Sequence, residues 1–261
     1  QQPMMVKFKT SNLAPVLKKK LSGSVEFSLL EENVEQYRNF VKTLQEQTHG
    51  MGYFDYPALA GMKRNPNWIA IAKNEEGQTI GQMLYTMPGT PKNTLSLKAT
   101  RFIYTSPEGR YLLLDWIARH IDQAIEAEIW LPPYEQPNTW LTDIEMDFDK
   151  VWKPGMSRVL DVENISGMNV GEGEFSAKVT DPLCPWNEGI WNFRSSDGVL
   201  QVSSSDKADC DLTIQGLSAL VYGINHPEVF EYRGWGSPSP EIQEVMLSMV
   251  PQKIAYMHEY Y

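Results

Sequence analysis

The stretch between residues 156 and 217 constrains the fold more than any other part of the chain. It holds three strand-like runs, at 174–180, 189–193 and 199–202, separated by two tight turns, one through Pro185-Trp186-Asn187 and one through Ser196-Asp197-Gly198. A fourth run, at 211–214, leads into an apolar segment of helical length. Short strands joined by turns of this composition are typical of antiparallel sheets. We therefore predict such a sheet with a helix packed on it.

The residues before this stretch alternate between strand and helix patterns. Two strand-like runs, at 6–9 and 25–30, precede a helix with acidic residues at its amino end and an apolar stripe at helical spacing. A hairpin then joins runs 68–73 and 79–87 through the turn at 74–77. The remaining predicted elements are a short helix at 56–64, a strand at 95–104, a longer helix with Leu113, Trp116, Ile117, Ile121 and Ala124 on one face, a strand, and a short helical segment at 140–148.

A breaker cluster, Lys153-Pro154-Gly155, separates these elements from the stretch described first. The elements before it run strand, helix, helix, hairpin, strand, helix, strand. This order predicts a mixed sheet flanked by helices, and the whole chain is expected to be of the α+β class.

Charge and composition exclude several classes of partner. The 261 residues carry a formal net charge of −10, which argues against nucleic acid as the main partner because phosphate binding requires a basic face. No apolar run approaches the roughly 20 residues of a membrane-spanning helix. The first ten residues alternate like a strand and do not resemble a signal peptide. We expect a cytoplasmic protein that does not act on membranes. The start at Gln1, inside a strand-like run, leads us to expect a preceding segment.

Candidate metal and nucleophilic sites are weak. Two cysteines, Cys184 and Cys210, form no disulfide framework, and we expect both to be reduced. The four histidines lie far apart and show no ligand spacing, so no metal is expected. Asp206, Asp209 and Asp211 do not follow the calcium-loop pattern. Ser218 has no nucleophile-elbow motif around it.

The turn at 105–110, which precedes the longer helix, is a candidate phosphate site. Pro107 has no N–H to donate, and Glu108 adds negative charge where a phosphate would sit. Only Gly109 permits close approach of the backbone. The two interpretations are a degenerate coenzyme site and an ordinary helix start, and we favour the second.

Three segments, in this order, resemble one family. They are FIYTSPEGRYLLLDWIARHIDQ at 102–123, MSRVLDVE at 156–163, and FSAKVTDPLCPWNEGIWNF at 175–193 with ADCDLTIQGLSALVYG at 208–223. Together they are similar to the Eis-like (enhanced intracellular survival) N-acetyltransferases of the GNAT class. That resemblance implies the end of an upstream GNAT domain and linker at 1–23, a degenerate GNAT-like acyltransferase domain at 24–154, and a domain like sterol carrier protein at 155–261.

The resemblance also implies an activity. Eis-like enzymes transfer acetyl from acetyl-CoA to a primary amine, commonly as homo-oligomers, and the coenzyme site would lie in an amino-terminal GNAT domain outside this chain. Their terminal carboxylate acts as base, which implies that role for the carboxylate of Tyr261. Substrate binding would fall to Tyr260 and Glu259. The family often has an acidic residue next to last, whereas Tyr260 holds that place here and Glu259 is displaced by one.

Two other functions remain open from the sequence. A sterol-carrier-like domain could bind a lipid, with the methionine-rich helix face of Met246 and Met249 lining the site, although such faces are usually core. Alternatively the chain could be a scaffold that shapes a substrate cleft. Asp181 is expected to organise a turn, and Trp186 and Trp191 to pack on the sheet.

Overall fold

The computed structural model describes residues 3–53, 67–89, 95–141, 144–150, 155–256 and 258. By backbone packing these residues form two units. The first contains the described residues up to 150 together with Tyr256 and His258, and the second contains residues 155–255. The helix predicted at 56–64 lies outside the described residues.

The first unit is built on a seven-stranded sheet with the strand order β2-β3-β4-β5-β6-β1-β7. Neighbouring strands are antiparallel except β5 and β6, which are parallel and are connected through helix α2 (Pro107–Ala118). Helix α1 (Val34–Gln47) precedes β3 in the chain. The strands are β1 (Met4–Lys9), β2 (Ser24–Leu29), β3 (Trp68–Lys73), β4 (Thr79–Thr86), β5 (Leu95–Tyr104), β6 (Ala124–Leu131) and β7 (Asp147–Lys150).

The parallel pairing of β5 with β6 stops halfway along β5. Its register runs from Leu95 opposite Ala124 to Ala99 opposite Ile129. Beyond Ala99, β5 stays paired with β4 as far as Tyr104, while β6 stays paired with β1. The two strands therefore separate toward their carboxyl ends and leave a wedge between them.

The two faces of the sheet carry different side chains because residues alternate along each strand. On β3, Ile69 and Ile71 join the core cluster beneath α1, whereas Ala70 and Ala72 join the cluster beneath α2. Helix α2 lies very close to the sheet, since a Cβ atom on Gly109 would lie 2.2 Å from the Ile80 carbonyl oxygen. Glycine at 109 is therefore required for this packing.

The second unit has a four-stranded sheet in the order β10-β9-β8-β11, in which only β8 and β11 are parallel. Helices α3 (Ile214–Val221) and α4 (Pro240–Met249) bury their apolar residues in the same core cluster as the sheet. This arrangement, with the sheet of the first unit, confirms the predicted α+β class. The strands are β8 (Glu174–Thr180), β9 (Gly189–Ser196), β10 (Val199–Ser204) and β11 (Cys210–Thr213).

The short helix predicted at 140–148 is wrong. A single 3-10 turn, Pro137–Thr139, precedes it, residues 144–146 have no regular structure, and residues 147–150 form β7. Trp140 is buried and stacks on Phe102, and β7 pairs with β1. Long-range packing and strand pairing outweigh the local helical pattern here. In the described part of the chain, no helix has both the length and the apolarity needed to cross a bilayer.

Candidate functional site

The end of the chain is bound to the first unit through Gly52. The Gly52 N–H donates to the Tyr256 carbonyl at 2.9 Å, and the His258 N–H donates to the Gly52 carbonyl at 2.9 Å. Two backbone bonds on either side of one residue form a short strand-like pairing. The tail therefore has a defined path over this unit after the chain has completed the second one.

His258 anchors this tail by its side chain. Its ring is fully buried, and Nε2 shares a hydrogen bond of 2.8 Å with the Tyr37 hydroxyl on α1. The rings of Tyr53 and Tyr256 lie with their centroids about 6 Å from it. Burial lowers the pKa of His258 well below its usual value, and the nearby positive charge of Arg101 makes a smaller contribution in the same direction. The imidazole is therefore neutral at pH 7, as its apolar and aromatic surroundings require.

The predicted site residues follow this anchor directly. Glu259, Tyr260 and the terminal Tyr261 lie outside the described residues, so their roles stay predictions. Their nearest described neighbours are His258 and Tyr256, both of which are buried in the first unit. Sequence reasoning missed this anchoring role of His258. The available signal was a tail, YMHEYY, that is too aromatic for a freely solvated end.

The wedge between β5 and β6 is filled by aromatic and charged side chains. The Tyr104 hydroxyl donates to Glu135, and the Phe102 ring stacks on Trp140 at a centroid distance of 5.9 Å. The Arg110 guanidinium lies 5.1 Å from the Trp140 ring centroid. Burial, reinforced by Glu135, raises the pKa of Tyr104 well above its usual range, so its proton stays in place.

The space left at this wedge is small. A cavity of about 20 Å³ lies there, lined by β5 residues, by Tyr134 and Glu135 after β6, and by Tyr256 of the tail. That volume accommodates about one water molecule. The described side chains therefore leave no room in this cavity for the extended arm of a coenzyme.

The amino end of α2 is capped by the protein's own side chains. The Ser106 hydroxyl accepts from the Gly109 N–H at 3.2 Å, and the Ser22 hydroxyl donates to the Glu108 carboxylate at 2.8 Å. Pro107 has no N–H to offer. The geometry matches an ordinary capped helix start, and Gly109 serves helix–sheet packing rather than the approach of a phosphate.

In the second unit, Asp181 is the centre of a buried hydrogen-bond network. Its carboxylate accepts from the Arg158 guanidinium, from the Asn187 amide at 2.8 Å, and from the backbone N–H groups of Leu183 and Cys184. Burial by itself would raise the pKa of Asp181, but these hydrogen bonds outweigh it and lower the pKa. Asp181 is thus held ionised by structural partners, as expected for a turn-organising residue.

Asn187 extends this network to the segment that enters the unit. Its side-chain carbonyl accepts from the Val162 N–H at 2.9 Å, and its amide also donates to the Leu160 carbonyl at 3.1 Å. The exposed Trp186 indole donates to the same Leu160 carbonyl at 2.9 Å. The Asp-Pro and Pro-Trp-Asn parts of the sequence therefore belong to one hydrogen-bond network that joins residues 158–162 to residues 181–187.

The other polar candidates of this unit also have structural partners. The Ser218 hydroxyl donates to the Ile214 carbonyl and accepts from the Val159 N–H. Asp209 accepts from Ser176, and burial raises the pKa of Cys210 to about 12. Neither cysteine is bonded to the other. Among the described residues, no group of three or more His, Cys, Asp or Glu side chains could hold a metal ion.

Met246 and Met249 are fully buried in the core of the second unit. There they pack with Phe175 and Phe193, whose rings stack at 4.9 Å. Met249 also lies against Gly173, where a Cβ atom would come within 2.7 Å of the methionine side chain. The methionines act as core residues, as their spacing indicated.

Comparison with known proteins agrees with this architecture. Residues 163–231 match the family model of the sterol carrier protein domain. No curated protein matches the chain. A GCN5-related N-acetyltransferase from Anabaena variabilis ATCC 29413 superposes with a TM-score of 0.80 at 16% identity, over 100% of this chain and 67% of that one.

Two further solved structures are similar. A conserved protein of unknown function from Enterococcus faecalis V583, a probable N-acyltransferase, gives a TM-score of 0.76 at 15% identity and covers 100% of this chain and 68% of that one. Eis1 from Mycobacterium abscessus gives 0.68 at 17% identity, with the same coverage. The chain has the fold of these acetyltransferases. The resemblance to Eis-like proteins is thus confirmed in fold, over about two thirds of their length.

Proposed function

We propose that this chain is the carboxy-terminal part of an Eis-like N-acetyltransferase that transfers acetyl from acetyl-CoA to a primary amine. The main support for this proposal is that the whole chain, with both units, superposes on N-acetyltransferase structures. The chain matches about two thirds of the length of those enzymes. In this proposal the remaining third corresponds to a GNAT domain, and that domain binds the coenzyme. Residues 1–23, whose strand β1 pairs with β6 and β7 of the first unit, then lead from that domain into the GNAT-like domain 24–154 and the sterol-carrier-like domain 155–261.

The geometry of the first unit supports placing the coenzyme elsewhere. The wedge between β5 and β6 is occupied by the Tyr104–Glu135 pair and by stacked Phe102 and Trp140. The amino end of α2 uses its Gly109 N–H in the Ser106 cap, has no N–H at Pro107 and carries the Glu108 carboxylate, so it does not favour a pyrophosphate. This unit is proposed to form a wall of the substrate cleft.

The tail supplies the chemistry in this proposal. His258 is buried in the first unit, and three residues of chain can extend at most about 11 Å from it, so this proposal has the terminal carboxylate act within that reach of His258. That carboxylate takes a proton from the amine nitrogen as the nitrogen bonds to the acetyl carbon and the thiolate leaves. Tyr260 and Glu259 would contact the amine.

The test is acetyl transfer by the full-length parent protein to a panel of primary amines. Adding one glycine after Tyr261 moves the carboxylate and is expected to lower kcat/KM at least about 100-fold, as loss of a general base does. A matched insertion of one glycine after the exposed Asp197, in the turn between β9 and β10 of the second unit, should leave the rate unchanged. Absence of acetyl transfer to every amine would overturn the proposal.

The lipid-binding alternative has weaker support. The sterol carrier match at 163–231 is compatible with it. However, the described core of that unit is filled by Phe175, Phe193, Met246 and Met249, and no observation in this unit favours a ligand over packing. Homo-oligomer formation and a cytoplasmic location remain part of the proposal.

A further inference from the structure

A larger cavity, of about 450 Å³, lies in the first unit along one flank of α2. It is bounded by that helix and by the segment that leads into β2. Its size falls in the range of small-molecule sites, roughly 300–1,000 Å³. Nothing in the proposed acetyl transfer uses this cavity. Four aliphatic side chains line it, those of Leu17, Leu21, Val25 and Leu112.

Three cationic side chains line the same cavity. They are Lys19, Lys20 and Arg119. The Lys19 ammonium lies 5.3 Å from the centroid of the Tyr111 ring, a cation–π contact that holds it near the helix. The negative groups facing the cavity are the Asp115 carboxylate and, more weakly, the carboxyl end of α2.

Asp115 is paired with Arg119, whose Nε donates to it at 2.6 Å. Three positive side chains and one negative one leave a local charge of about +2 before the helix end is counted. The chain as a whole carries a formal charge of −10, so this positive patch opposes the overall field. A patch of this sign beside an aliphatic surface favours an anionic headgroup and an apolar tail.

Trp116, the aromatic residue that lines the cavity, limits the class of ligand further. The Trp116 ring already contacts Phe27, at a centroid distance of 4.9 Å, and His120, at 5.0 Å. It therefore offers little free ring face for stacking a planar base or an aromatic ligand. The remaining apolar lining is aliphatic, which suits an alkyl chain.

We propose that this cavity binds a small amphiphile that has one anionic headgroup, a phosphate or a carboxylate, on a short alkyl chain. Lys19, Lys20 and Arg119 would bind the headgroup, and the aliphatic residues would bind the chain. The proposal is independent of acetyl transfer and of the part of the relatives that this chain does not match.

The test is isothermal titration calorimetry of the 261-residue chain with n-octyl phosphate below its micelle concentration. We expect one binding site, tighter for octyl phosphate than for octanoate because the phosphate carries more charge. Inorganic phosphate and octyltrimethylammonium should each bind at least about tenfold more weakly, since each lacks one of the two interactions. Equal binding of octyltrimethylammonium, or equal binding of inorganic phosphate, would overturn the proposal.

The chain offers a matched control for the charges. Lys18 belongs to the same lysine run but does not line the cavity. The double variant K19A/K20A should weaken octyl phosphate about tenfold, whereas K18A should change its affinity less than about twofold. An equal loss in K18A would show a diffuse surface effect and would refute the site.

A second variant tests the volume without changing charge. Ser24 lines the cavity at the exposed start of β2, and Ser24→Trp should fill it and abolish binding. Strand positions tolerate tryptophan well, and circular dichroism checks the fold. Unchanged binding in a folded S24W protein would place the ligand elsewhere and overturn the proposal.

Discussion

At the scale of single residues, Asp181 shows how a buried charge is kept in this protein. Four donors surround its carboxylate: Arg158, Asn187 and the N–H groups of Leu183 and Cys184. A fully buried carboxylate would be costly without them, and with them it stays ionised. The residue therefore stabilises the entry to the second unit and is not available as a general acid.

Asp181→Ala is expected to lower the free energy of unfolding of residues 155–255 by about 3 kcal/mol, because Arg158 loses its carboxylate partner and the buried Asn187 amide loses one of its two acceptors. Denaturant unfolding followed by tryptophan fluorescence measures this. Glu174→Ala on β8 is the matched control, since that exposed carboxylate lies 4.0 Å from Arg194 and accepts one surface hydrogen bond, from Asn192 at 2.9 Å, and its loss should change stability by less than about 1 kcal/mol. Equal effects would contradict the network.

At the scale of elements, the tail is a short extended segment held by two backbone bonds and one side chain. Gly52 supplies the backbone bonds, and Tyr37 on α1 supplies the hydrogen bond to His258. Among the described residues, the groups around the imidazole include the phenols of Tyr37, Tyr53 and Tyr256 and the guanidinium of Arg101. A protonated His258 would carry its charge in a fully buried place and would face the positive charge of Arg101.

Docking of the tail is therefore expected to weaken as the pH falls below about 6.5. The released tail has an ordinary histidine pKa and binds a proton there, whereas the docked histidine has a lowered pKa and does not. The contribution of the neutral His258 to docking is fully present above that pH and is lost as the pH falls further. Trimming of the chain by a carboxypeptidase, followed by intact mass from pH 7.5 to 5.5, measures this release.

The free hexapeptide Tyr-Met-His-Glu-Tyr-Tyr corrects for the pH dependence of the peptidase itself. The variant His258→Gln removes the titrating group, so its trimming rate relative to the peptide should not depend on pH. A wild-type rate that also shows no pH dependence, once corrected in this way, would contradict the proposed role of the buried imidazole.

At the scale of the whole molecule, the chain leaves the first unit, forms a second one with its own core, and returns its end to the first. Tyr256 joins the core cluster beneath α1, and His258 shares a hydrogen bond with Tyr37 of that helix. Tyr256 and His258 thus stabilise the first unit, although all its other described residues lie before position 151 in the sequence.

A chain that ends at Ala255 should therefore lose stability in the first unit only. Removing the buried Tyr256 and His258 is expected to cost that unit about 3 kcal/mol, as large truncations of buried aromatic residues do. Hydrogen exchange with mass spectrometry should show faster exchange in α1 and unchanged exchange in β8 and β11. Slower or unchanged exchange in α1, or equal loss in both units, would contradict this account.

Local sequence patterns predicted much of the fold. The 68–73 and 79–87 hairpin, the strand at 95–104 and the strands from 174 onward follow from alternation and turn residues that agree with the final structure. The segment at 140–148 failed because a buried Trp140 and the pairing of β7 with β1 are long-range effects.

The candidate site was less predictable for the same reason. That the chain ends in aromatic residues is visible in the sequence, but its docking on Gly52 and Tyr37 joins residues more than 200 positions apart. Periodicity and turn chemistry act over a few residues and so determined the elements, the α+β class and the turn at Asp181. Which strands separate, which side chains fill the wedge, and where the tail and the cationic cavity lie depend on packing between distant segments, and only the tertiary structure decided them.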